Sequence, residues 1–189
     1  MKKEFDVARL DVKAFAQAGA ALAEATPLAQ WPRLTAEAAQ ATPVAPPVEV
    51  RWRAHGEMRG NAAGPGVPWL HVEADTELPL VCQRCLGPVP TALSVDRWFR
   101  FVADEATAAA EDEEAEEDVL ALEADFDLRA LVEDELLMDI PVAPRHEVCP
   151  QPPRLSAVDD DFDTAGADKP NPFAVLEGLR KGKPGSHKD

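Results

Sequence analysis

The chain has 189 residues, 46% of them hydrophobic, and a formal net charge of −16, enough for one modest core with extra segments. A chain this acidic has no global field to attract a phosphate backbone, so contact with nucleic acid must be local or made through a partner. No stretch approaches the ~18 apolar residues of a membrane span. No apolar run follows the charged start "MKKEFDVARL", and three cysteines make no disulfide framework, so the expectation is a reduced, cytoplasmic protein without membrane attachment.

In chain order, a short extended piece leads to Asp11, a good N-cap, and Val12, Phe15, Gly19, Leu22 and Ala23 follow at helical spacing. A second short helical patch is expected over Leu34 to Gln40, closed by Pro43, Pro46 and Pro47. The period then changes to two. Val48, Val50, Trp52, Ala54, Gly56 and Met58 share one face of a strand, and Glu49, Arg51, Arg53, His55 and Glu57 share the other. After the turn segment "GNAAGPG", Leu70, Val72, Ala74, Thr76, Leu78 and Leu80 mark a second strand. Val89, Thr91, Leu93, Val95, Phe99 and Phe101 mark a third, in which Arg97 breaks the apolar face. Three alternating strands with short links predict an antiparallel meander.

"VCQRCLGPVP" falls in the hairpin between the second and third strands. Gly87 and Pro88 after Cys85 let backbone N–H groups approach the sulfurs, which is the geometry of a zinc knuckle. Residues 104 to 118 hold nine acids and no base, which predicts a solvated, mobile loop. Beyond it, Asp127 caps the strongest helix of the chain, with Leu128, Leu131, Val132, Leu136 and Ile140 as its core stripe and Pro141 as its stop. Glu133, Asp134 and Glu135 are expected mostly on its wet side. The end of the chain is rich in Pro and Asp. Asn171 and Pro172 then open a short helix whose apolar stripe is Phe173, Leu176 and Leu179. The resulting fold class is α+β, an antiparallel β-meander packed by one or two helices. Residues 1–150 form its single domain with a disordered acidic insert at 103–118, and 151–189 a flexible tail with a helix at 171–181.

Three stretches, "CQRCLGPV" at 82–89, "LVEDELLMDIPVAPRHEVC" at 131–149 and "KPNPFAVLEGLRK" at 169–181, together resemble the YceD family of large ribosomal RNA subunit accumulation proteins. The resemblance covers most of the chain and rests on the ordered set, since a lone CxxC is weak. It implies a role in synthesis, processing or stability of the large-subunit (23S) rRNA. It implies no catalytic residue and no cofactor.

Cys82 and Cys85 have two chemical readings. With His146 and Cys149, an H-x2-C pair behind the last core helix, they make a Cys3His zinc set. As a redox dithiol they lack the helix N-terminus that lowers a thiol pKa. Adjacent carboxylates at 133–135 point in different directions on a helix and do not converge for acid–base or magnesium chemistry. Arg51 and Arg53, with Arg59, Arg97 and Arg100 nearby, are the one basic patch of the sheet. They serve either as a weak RNA-binding surface or as cross-strand partners of Glu73, Asp75 and Glu77. The expected function is a non-enzymatic factor in ribosome biogenesis, with no small-molecule substrate, that meets rRNA directly or through ribosome-assembly or RNA-processing proteins. Phe173, Leu176 and Leu179 are its candidate docking residues. The competing readings are a metal-dependent RNA-processing enzyme and a zinc-binding adaptor without a ribosomal role.

Overall fold

The structure, a computed structural model, describes residues 5–39, 47–60, 66–151, 157 and 173. The chain divides into two compact units, Met1–Gln151 and Pro152–Asp189. The first unit is α+β: a five-stranded sheet in the order β1-β2-β3-β4-β5 with short helices.

Helix α1 (Val12–Gln17) is capped by the Asp11 carboxylate, which accepts from the Ala14 N–H at 2.9 Å. It stops after six residues, so the helical periodicity read through Leu22 and Ala23 is corrected. Gly19 adopts φ +54°, its N–H reaches the Ala16 carbonyl, and the Ala20 N–H reaches the Phe15 carbonyl. This pair of bonds satisfies the last carbonyls of the helix and turns the chain sharply. Strand β1 (Ala21–Pro27) leaves this turn and runs antiparallel to β2 (Glu49–Arg59). One 3₁₀ turn (Leu28–Gln30) leads into α2 (Pro32–Glu37), which starts two residues earlier than expected.

Strands β2, β3 (Val67–Val81) and β4 (Pro88–Val102) form the meander that the alternation predicted. Their inward faces build the core with the helices. Phe15, Trp31, Leu34, Leu70, Phe99, Phe101, Leu128 and Leu136 are all fully buried. Gly56 is where α1 lies on the sheet: a Cβ there would sit 2.5 Å from Phe15 Cδ1 and 3.0 Å from the Ala16 backbone. The close approach needs a residue without a side chain.

The acidic segment departs from the mobile loop expected of it. Asp104 accepts from the Thr107 N–H and opens α3 (Glu105–Asp112), and β5 (Asp118–Ala121) then pairs parallel to β4. The charge is matched rather than merely solvated: Arg100 bonds Glu117 at 2.6 Å and also Glu111, and Arg97 bonds Asp118. Opposite charges on the neighbouring strand offset the self-repulsion that the run shows when read alone. Helix α4 (Leu128–Met138), capped by Asp127, packs over β3 and β4. Of the second unit, residues 157 and 173 are described. Its expected helix at 171–181 otherwise lies outside the described residues.

Candidate metal centre and the open sheet face

The hairpin joining β3 to β4 is tight. The Cys82 N–H donates to the Gly87 carbonyl and the Leu86 N–H to the Cys82 carbonyl, both at 2.9 Å. Leu86 closes the turn with φ +60°. The irregular segment 141–149 after α4 folds back onto this turn, fixed by the Gln83 N–H donating to the Pro144 carbonyl at 2.8 Å.

That contact brings the two halves of the expected ligand set together. The ligand atoms of Cys82, Cys85, His146 and Cys149 lie within 4.8 Å of one another, with Cys85 Sγ 3.5 Å from His146 Nδ1. A tetrahedral ion with sulfur ligands at about 2.3 Å sets ligand–ligand edges of about 3.8 Å, so the four atoms need to contract by less than about 1 Å. Three thiols and one imidazole are the soft donor set that zinc takes, and four protein ligands leave no open position for water. Cys82 is fully buried and the other three are half-buried. Burial pushes the Cys82 thiol up, but donation from the backbone N–H groups of Cys85, Arg84 and His146 and from the His146 side chain outweighs it, bringing the thiol down to about 5. Burial, then hydrogen bonding to Cys85 and Cys82, pushes the Cys149 thiol up. The turn therefore favours thiolate at Cys82 even though no helix begins there.

The carboxylates at 133–135 diverge, and two of them are not on the wet side. Glu133 is buried and accepts from the backbone N–H groups of Arg33 at 2.8 Å and Leu34 at 3.2 Å, and from Arg33 Nε at 3.1 Å. Trp31 makes no side-chain cap for α2, so a carboxylate a hundred residues further along the chain satisfies its first N–H groups. Asp134 pairs with the same arginine. Glu135 is buried 3.6 Å from Arg97, and burial raises its pKa. This also explains the polar break in β4: Arg97 meets Glu135 and Asp118 at the margin of the core. None of the three carboxylates faces another across a cleft.

Arg51 and Arg53 lie on the sheet face without helices, where the register sets them opposite Asp75 and Glu73, and each forms an ion pair with that partner. Their charge is internally matched. The same face carries a group the alternation could have revealed, because Trp69 and Trp98 occupy its outward positions. The Arg59 guanidinium sits 4.3 Å from the Trp69 ring and 3.8 Å from that of Trp98, and His71 stacks on Trp98 at 4.3 Å. His71, Glu73 and Asp96 gather their ligand atoms as well. However, Glu73 is engaged by Arg53 and His71 Nε2 is bonded to Asp96 at 2.7 Å, so the ligand atoms of that group are already taken up in side-chain contacts. Of the expected tail residues, Phe173 is exposed, and Leu176 and Leu179 lie outside the described residues.

No helix among the described residues is long and apolar enough to cross a membrane. No solved structure matches the chain. A curated protein of Haemophilus influenzae named large ribosomal RNA subunit accumulation protein YceD is 32% identical over 110 residues, which are 56% of this chain and 61% of that protein. The family described as large ribosomal RNA subunit accumulation protein YceD matches residues 70–180, from near the start of β3 through the cysteine hairpin and α4 into the second unit. With more than half of its length matched, the chain belongs to the YceD family.

Proposed function

We propose that the protein is a non-enzymatic binding factor that supports accumulation of the large-subunit rRNA, acting in the cytoplasm through ribosome-assembly or RNA-processing proteins. Family membership carries this reading. The chemistry of the first unit supports the non-enzymatic part. Of its buried carboxylates, Glu133 caps α2 and Glu135 pairs with Arg97, and its cysteine–histidine set is of the closed type that stabilises a fold. The net charge of −16 favours protein partners over direct grip on RNA.

We further propose zinc as the ion of the Cys82, Cys85, His146 and Cys149 set, holding the segment 141–149 against the hairpin. Metal analysis of untagged protein is expected to find about one zinc per chain, and Cys82→Ser to lose it. Deleting the gene should lower the ratio of large- to small-subunit rRNA, and an unchanged ratio in both cold and ordinary growth would overturn the functional reading.

A further inference from the structure

Among the described residues of the first unit, the exposed large apolar side chains are Val81, Leu86, Met138, Val142 and Val148. Four of the five belong to one small region. Val81 and Leu86 adjoin Cys82 and Cys85, Val148 adjoins Cys149, and Val142 is two residues from Pro144, whose carbonyl receives the Gln83 N–H. The groups that tie the hairpin to segment 141–149 thus carry an apolar surface with them. Leu86 is the most telling. It is 76% exposed and adopts φ +60°, a conformation that costs a side-chain-bearing residue about 1–2 kcal/mol. Burial of a leucine is worth about 1.5–3 kcal/mol, and this one forgoes it. Both features are unfavourable for the chain alone, and strained, exposed positions of this kind cluster where something binds.

The charge at this end is also unlike the rest. Arg9, Arg33, Arg51, Arg53, Arg59, Arg97, Arg100 and Arg129 all sit in ion pairs. Arg84 and Arg145, the other two arginines among the described residues, have no ion-pair partner there, and both are exposed. Arg84 lies between the hairpin cysteines, and Arg145 adjoins His146. Glu147 is the one acid in segment 141–149. An apolar patch flanked by two unpaired guanidiniums suits a ligand that offers aliphatic side chains flanked by carboxylates. Among the described residues the patch contains no aromatic ring to stack a base, which disfavours single-stranded RNA.

We propose that this hairpin end, with Leu86 as its knob and Arg84 and Arg145 as its charged rim, docks an acidic amphipathic segment of a partner protein. The proposal rests on the binding-factor reading and gives it a surface. The test titrates the whole isotope-labelled chain, purified with zinc, with a synthetic amphipathic peptide of Leu and Glu, and separately with its Leu and Lys counterpart. Amide shifts from the Leu/Glu peptide are expected over 81–87 and 142–149, with no matching effect of the Leu/Lys peptide. Leu86→Gly separates binding from folding, since glycine adopts the positive φ freely. Its melting temperature should hold or rise while affinity falls at least about tenfold. Arg84→Glu combined with Arg145→Glu should weaken binding similarly. Equal binding of both peptides, shifts centred on Trp69 and Trp98, absence of binding, or undiminished affinity of Leu86→Gly would each overturn the proposal. Failure here alongside a lowered rRNA ratio on gene deletion removes only the docking surface. An unchanged ratio removes the functional reading itself.

Discussion

At the scale of single residues, two neighbouring glutamates on α4 show how burial gives identical side chains opposite effects. Glu133 is buried among donors, capping α2 across the chain. Glu133→Ala strands the N–H groups of Arg33 and Leu34, and a loss of about 1–3 kcal/mol is expected in denaturant titration. Glu135 is buried with fewer partners, and desolvation raises its pKa. A carboxyl whose folded pKa lies above its unfolded value costs stability when ionised. The penalty is fully present above the folded pKa and fades as pH falls through it toward the unfolded value. Glu135→Gln is therefore expected to raise the melting temperature at about pH 8, with the gain vanishing near pH 4. Arg97 keeps Asp118 in that variant. A gain that is equal at both pH values would show that the effect is packing rather than charge. Neither role was visible in the sequence around Glu133 and Glu135, because the partners of Glu133 are about a hundred residues away in sequence and burial depends on the packed fold.

At the scale of elements, glycines and charge pairs decide where segments begin and end. Gly19 has φ +54° but open space around it, whereas Gly56 has ordinary backbone angles but Phe15 and the Ala16 backbone against it. Gly19→Ala should cost about 1–2 kcal/mol through backbone strain alone. Gly56→Ala should cost more, because α1 must lift from the sheet, and an equal loss would show that α1 is loosely held. The acidic segment makes a second case. Its composition reads as a loop, yet its acids meet Arg97 and Arg100 on β4, and it carries the crossover that sets β5 beside that strand. Replacing 105–117 with a short glycine–serine link is expected to lower the melting temperature by several degrees and expose the β4 edge. Unchanged stability would return the segment to the status of a loop.

At the scale of the molecule, the fully buried core of large side chains lies between sheet and helices, and the cysteine–histidine set lies at the end of one hairpin. The two should separate on metal removal. A strong chelator is expected to speed amide hydrogen exchange in 81–87 and 141–149 while β2, β3 and β4 remain protected. Loss of protection throughout the sheet would mean that the ion supports the whole fold. The three meander strands and the capped helix from Leu128 were legible in the sequence, which also supplied the four candidate ligand residues. Period-two alternation, a side-chain cap and short chemical motifs are local properties that survive without the fold. The packed fold was needed to show that Gly19 ends a helix and releases β1, that the acidic run pairs with arginines, and that Glu133 caps a distant helix. It also decided that His146 and Cys149 reach the hairpin. Gly19 ends its helix through a positive φ and bonds to nearby residues, whereas the other three depend on approaches across the fold, and spacing along a sequence carries no measure of that distance.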